Sequence, residues 1–211
     1  MKKKSFYASI CLLSAFAIWT VLVCTVGVRA IGPLGSSVGF ASLNGYVHSI
    51  TGVNMMLYTV TDWLGLVPIA VCLCFAVLGL IQWIKRKKLL SVDRSILVMG
   101  VFYVAVIAAY ILFEHAVINY RPVLIDGRLE ASYPSSTTML SLSVMPTALM
   151  YLNSSIKRKA LKAILAASII AFTAFMVAGR LISGVHWITD IIGGALLSAG
   201  LVMAYHAFRE K

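Results

Sequence analysis

The residues most able to do chemistry lie between Arg180 and Asp190, in the run Arg-Leu-Ile-Ser-Gly-Val-His-Trp-Ile-Thr-Asp. Arg180 precedes His186 by six residues, and Asp190 follows that histidine by four. Residues four apart share one face of a helix, so Asp190 is placed to accept a hydrogen bond from one ring nitrogen and fix the tautomer of His186. The other nitrogen is then free as a nucleophile or base. A guanidinium is always charged and fork-shaped, which suits Arg180 to holding a phosphate beside that nitrogen. The pair also has a plainer reading, a His–Asp contact that only stabilises a helix end, and the surroundings must decide.

Those surroundings are a membrane. The chain is 61% hydrophobic and only 12% charged, with a mean hydropathy of +0.94. No soluble domain of 211 residues has interior enough for that much apolar side chain. The net charge of +11 does not point to nucleic acid. Its lysines and arginines gather at Lys2–Lys4, at Lys85–Lys88 with Arg94, at Lys157–Lys159 with Lys162, and at Arg209 with Lys211. Each cluster flanks a long apolar run, as cytoplasmic ends do under the positive-inside rule. Cys11, Cys24, Cys72 and Cys74 sit inside apolar runs, where a thiol behaves as a small hydrophobe. They give no disulfide framework and no metal site, and no cofactor is expected.

Six apolar stretches approach the roughly 20 helical residues that cross a bilayer core. They run from Phe6 to Val28, Trp63 to Trp83, Ser95 to Phe113, Thr137 to Leu152, Ile164 to Val177, and Trp187 to Phe208. The expected fold is all-α and polytopic: six transmembrane helices in one bundle, a single domain over residues 1–211. The first stretch is long for a signal peptide and lacks a small-residue cleavage site, so it is expected to be retained. With Lys2–Lys4 inside, fourteen of the eighteen Lys and Arg fall on the cytoplasmic side. Both termini are then cytoplasmic, and Arg29, Arg121, Arg128 and Arg180 lie outside. The outer segment Ala30–Asp62 carries Gly, Ser, Tyr46 and Tyr58. It is either a connecting loop or the site of a short interfacial helix forming a lipid-access lip.

Three polar stretches meet the outer boundary. One is Glu114-His115-Ala-Val-Ile-Asn119-Tyr120-Arg121-Pro122; the second is Tyr133-Pro134-Ser135-Ser136-Thr137-Thr138; the third is Arg180–Asp190. A helix start in the second stretch offers free N–H groups and a positive dipole end, with Pro134 suited to its first turn and Ser135 and Ser136 adding hydroxyls. Together the three resemble the signature of the type 2 phosphatidic acid phosphatase (PAP2) superfamily, related to vanadium haloperoxidases: Lys-x6-Arg-Pro, Pro-Ser-x-His, and Ser-Arg-x5-His-x3-Asp. The order, the outer-face placement and the six-helix layout agree along essentially the whole chain. The third motif is specific; the first two are weak alone.

This resemblance implies a metal-independent phosphatase of the membrane. His186 would be the nucleophile that forms a phosphohistidine, and Asp190 would orient it. Arg121, Arg180 and Ser135, with backbone amides near Ser136, would hold the phosphoryl oxygens. Three positions depart from the pattern: Glu114 stands for the lysine, Thr137 for the acid histidine, and Gly179 for the serine before the third-motif arginine. A general acid contributes about 10²–10⁴-fold, and its loss matters most for a poor leaving group such as a lipid alkoxide. The missing acid therefore favours lipid diphosphates of the prenyl or undecaprenyl kind, whose leaving phosphate monoester needs no proton. Glu114 or His115 could instead act as a substitute acid, or Glu114 could simply pair with Arg121 or Arg180. Two further readings stay open: a non-catalytic PAP2-like protein that binds lipid phosphate or assists transport, and a lipid phosphotransferase.

Overall fold

The computed structural model describes residues 2–209; Lys211, of the last basic cluster, lies outside the described residues. The helices are α1 (Lys3–Thr25), α2 (Ala41–Thr51), α3 (Met55–Leu64), α4 (Leu66–Arg86), α5 (Arg94–His115), α6 (Ser136–Ser155), α7 (Lys159–Ile182) and α8 (Ile188–Phe208). At Gly65, between α3 and α4, the backbone stays helical (φ −59°, ψ −19°). The two therefore run on as one apolar stretch of 32 residues, Met55–Arg86. Counted so, the six expected helices become seven among the described residues, the additional one being α2.

Among the described residues, five stretches are long and apolar enough to cross a membrane: α1, α3–α4, α5, α7 and α8. The chain is a multi-pass membrane protein. The expected fourth span corresponds to α6, which has the length but is too polar to count among them. Thr137, Thr138, Ser141, Ser143 and Thr147 of α6 are all buried, and α4, α5, α7 and α8 pack around it. A helix ringed by other helices need not be apolar, because its hydroxyls meet protein rather than lipid. Thr147 shows this, donating to the carbonyls of Ser143 and Val144 at 2.9 Å and meeting the Tyr103 hydroxyl at 3.2 Å. The fifth span is longer than expected, because α7 begins at Lys159 and runs through Arg180. Charged residues at helix ends hide the true length from a hydropathy count, while their stems still lie along apolar surface.

The most extensive packing is between α1 and α8. Ser9 donates to the carbonyl of Gly200 at 2.8 Å, and a Cβ at Gly200 would come within 2.7 Å of Leu13. The chain ends of this bundle face are joined by Lys2 N–H to Ala207 O, Arg94 to Phe208 O, and Arg209 to Met150 O. The opposite end gathers the loops. There the Asn54 N–H donates to Ser183 O, and the Trp187 indole N–H donates to Tyr120 O at 2.7 Å.

Tyr133 fixes where α6 begins. Its ring is buried, stacks on Phe16 with centroids 6.3 Å apart, and sends its hydroxyl to Thr20 at 2.7 Å. It fits because Gly193 of α8 has no side chain; a Cβ there would stand 2.6 Å from the ring. At Gly194 the same helix comes within 3.1 Å of the Ser135 carbonyl by that measure. The Gly-Gly pair thus brings the starts of α6 and α8 together, a small-residue approach familiar between membrane helices.

Candidate active site

The site is assembled from four elements at the loop-bearing end of the bundle. The first is a hairpin-like turn over residues 119–132, with bridges between Tyr120 and Ala131 and between Ile125 and Arg128. Asp126 and Gly127 at its tip both have positive φ, 49° and 75°. Asp-Gly is the dipeptide that two-residue hairpin turns favour, because both central residues must be left-handed. That local signal was readable in the sequence and places Arg121 opposite Glu130. Their backbones are joined at 3.0 Å, and Arg121 Nε lies 3.0 Å from Glu130 Oε2.

The second element is the start of α6. Ser135 is its N-cap, so Pro134 precedes the helix rather than occupying its first turn. The Ser135 N–H donates to the Asp190 carbonyl at 3.1 Å, and its buried hydroxyl makes no hydrogen bond among the described residues. Ser136 and Thr137, in the first turn where helix N–H groups lack internal partners, face the open space of the site. Of the two serines, it is Ser136 that lines the cavity.

The third element is the last turn of α7, bearing Arg180. This guanidinium is almost wholly buried, at 2% exposure. One nitrogen reaches both Asp62 Oδ1 at 2.7 Å and the Thr137 hydroxyl; Nε and the other terminal nitrogen have no hydrogen-bond partner among the described residues. The Tyr58 ring lies 4.9 Å from the Arg180 guanidinium carbon and 5.9 Å from that of Arg121. Tyr58 and Asp62 sit one turn apart on α3, which comes close because residue 179 is glycine. A Cβ there would stand 2.7 Å from Thr61.

The fourth element is the loop 183–187, which carries His186. Gly184 has φ +68°, and a Cβ on it would strike the Gly52 carbonyl at 1.8 Å, so only glycine fits. His48 meets the Gly184 carbonyl through Nε2 at 3.1 Å, and buried Asn44 of α2 bonds the Thr189 hydroxyl at 3.0 Å. The segment 30–62 therefore contains a helix, α2, that buttresses the loop and the start of α8.

His186 and Asp190 do meet, but not by the hydrogen bond expected from their spacing. Nδ1 of His186 lies 3.7 Å from Asp190 Oδ2, beyond hydrogen-bond reach. The carboxylate instead accepts from the Trp187 N–H at 3.0 Å and the Asn119 side chain at 3.3 Å. It caps α8 and stands beside the ring at once. The reason is that α8 begins only at Ile188: His186 lies before the helix, where residues four apart are not yet stacked. Nε2, the other nitrogen, faces Arg121 Nη1 at 3.3 Å. Burial above all, and then the charges of Arg121 and Arg180, hold the imidazole well below its ordinary pKa, so it is neutral.

These groups line a cavity of about 500 Å³. His186, Arg121, Arg180, Ser136 and Thr137 face it, and so do three carboxylates, Asp62, Glu114 and Glu130. Glu114 pairs with neither arginine, since Arg121 is held by Glu130 and Arg180 by Asp62. His115 turns back to its own helix, meeting the Ile111 carbonyl at 2.9 Å, and does not line the cavity. Tyr58, Asp62, Asn119 and Glu130 were not singled out for the site from sequence. The Tyr-x3-Asp spacing on one helix face was the available sign for the first two.

Residues 98–211 match the family profile of the PAP2 superfamily, a segment that contains all three polar stretches but not Tyr58 or Asp62. The fold is similar to the crystal structure of a transmembrane PAP2-type phosphatidylglycerolphosphate phosphatase from Bacillus subtilis. The TM-score is 0.66, with 17% identity over 96% of each chain. At that identity the likeness concerns the fold alone. No curated protein matches the sequence.

Proposed function

The chain belongs to the PAP2 superfamily, and from that premise we propose that it is a membrane lipid phosphatase working through a phosphohistidine on His186. One observation carries the reading: a neutral, buried imidazole whose Nε2 stands 3.3 Å from a guanidinium, inside a cavity that a second guanidinium also faces. A neutral ring has a lone pair to give, and the charge that develops on phosphorus oxygens meets cations already in place. Arg121, Arg180, Ser136 and the first N–H groups of α6 hold the phosphoryl group. Nε2 attacks phosphorus, the bond to the leaving oxygen breaks, and Asp190 steadies the imidazolium that forms. Water then releases inorganic phosphate. No metal or cofactor is called for.

The whole chain acts as a single six-span domain, residues 1–211, with α6 crossing among the five apolar stretches. The basic clusters set both termini in the cytoplasm and the cavity on the outer face of a cell membrane. The substrate is a lipid diphosphate of the prenyl or undecaprenyl kind. Thr137 holds Arg180 where an acid would protonate a leaving alkoxide, and a departing phosphate monoester does without that proton.

The decisive assay compares phosphate release from a prenyl diphosphate and from phosphatidate by protein in lipid nanodiscs. Wild type is expected to prefer the diphosphate, His186→Ala to release nothing, and Thr137→His to gain activity on phosphatidate. A wild-type preference for phosphatidate sinks the substrate assignment. Full activity in His186→Ala sinks the mechanism. A second reading has one observation in its favour: both guanidiniums are already met by carboxylates, as in a site that binds lipid phosphate without turning it over. Retained lipid binding with no release by wild type would establish it instead.

A further inference from the structure

The hydrolytic half of this reaction lacks a proton acceptor. Water attacking a phosphohistidine must lose a proton, and neither Thr137, a hydroxyl bonded to Arg180, nor the imidazole, occupied by phosphorus, can take it. We propose that Asp62 is the base of that second step, a catalytic residue supplied from α3, outside the three polar stretches. The inference rests on the phosphohistidine reading above.

Four observations lead to it. Asp62 lines the same cavity as His186. Its Oδ1 binds the Arg180 nitrogen that also binds the Thr137 hydroxyl, so the carboxylate stands beside the start of α6. Oδ2 has no hydrogen bond among the described residues. And the side chain is 56% exposed, so a proton taken from water can pass on to solvent. The other two lining carboxylates are placed differently. Glu130 is held on the Nε side of Arg121, and Glu114 ends α5 with no ion pair to fix it among the described residues. Asp62 is fixed twice, by Arg180 and by the Thr61–Gly179 contact one residue away.

The step balances simply. The water oxygen forms a bond to phosphorus while Asp62 Oδ2 takes one of its protons. The phosphorus–Nε2 bond breaks, and its electron pair returns to the imidazole. Inorganic phosphate leaves, and Asp62 gives its proton to solvent. In this step Asp62 accepts a proton from water, and no group is called on to donate one.

The test is pre-steady-state kinetics of Asp62→Asn in nanodiscs, with a prenyl diphosphate carrying ³²P on its terminal phosphate. Loss of the base should lower steady-state phosphate release by about 10²–10⁴-fold. The first turnover should still release prenyl monophosphate in a burst near the wild-type rate. Acid-labile ³²P should accumulate on the protein, and added hydroxylamine, which needs no base to attack, should discharge it. Steady-state release within threefold of wild type overturns the proposal. So does loss of the burst together with turnover in folded protein, which would mark Asp62 as a binding or structural residue. Accumulation of label in Glu114→Gln rather than Asp62→Asn assigns the base to Glu114. Should wild type form no phosphoenzyme on any lipid phosphate, the phosphatase reading fails first and this inference with it.

Discussion

In the proposed reaction His186 can serve as nucleophile because its surroundings refuse it a charge. The ring is 3% exposed and faces two guanidiniums, and both effects favour the neutral form. The consequence for stability has a definite sign. Near neutral pH and above, the ring is uncharged in both folded and unfolded chains. As pH falls through the unfolded value of about 6.5, the unfolded chain binds a proton that the folded one refuses. The unfolded state then holds more protons, so stability is lost as the solution is acidified. The loss from this one group is up to about 1.4 kcal/mol per pH unit until the folded ring also protonates. Thermal unfolding in detergent between about pH 7.5 and about pH 5 should therefore show a steeper acid loss for wild type than for His186→Gln. Equal slopes would mean that the ring is not held neutral.

At the scale of elements, glycines decide what can approach what. Gly193 admits the Tyr133 ring, Gly184 admits the 52–53 backbone, and Gly179 admits Thr61. The last matters most for the site, since α3 delivers Tyr58 and Asp62 to the two arginines. Gly179→Val should push α3 away at a cost of about 1–3 kcal/mol, the usual penalty for overpacking. Its kinetic signature should resemble that of Asp62→Asn, with slowed release of phosphate from a phosphoenzyme that still forms. Measuring burst and steady state on that variant checks the link between the two helices. A variant that loses stability yet keeps normal phosphoenzyme turnover would show that the contact serves packing alone.

For the whole molecule, the arrangement of charge relative to the bilayer is the controlling quantity. The basic clusters sit at the end of the bundle joined by Lys2–Ala207 and Arg209–Met150 contacts, and the cavity at the other. Under the positive-inside orientation proposed above, the cavity would face outward. Leu34 and Leu90 are 81% and 91% exposed and belong to the two opposite ends. In a background without the native cysteines, Leu34→Cys should react with an impermeant thiol reagent on intact cells, and Leu90→Cys only after lysis. The reverse pattern would turn the cavity to the cytoplasm and change which pool of lipid phosphate it meets.

Much of this was legible in one dimension because it depends on composition and local spacing. Apolar length fixed the membrane class, and basic clusters fixed a common end. The order of the three polar stretches foretold that His186, Arg121 and Arg180 share one cavity. Local spacing failed where a helix had not yet begun: Asp190 caps α8 and stands 3.7 Å from the imidazole, instead of bonding it. It also could not choose Ser136 over Ser135, since which side of a helix start faces a cavity depends on the neighbour behind it. Here that neighbour is the close approach of Gly194 to the Ser135 carbonyl. Asp62 and Arg180 are separated by 118 positions along the chain. No periodicity joins residues so far apart. Their meeting is set by how closely α3 and α7 can pack, and packing is decided only when the whole bundle has closed.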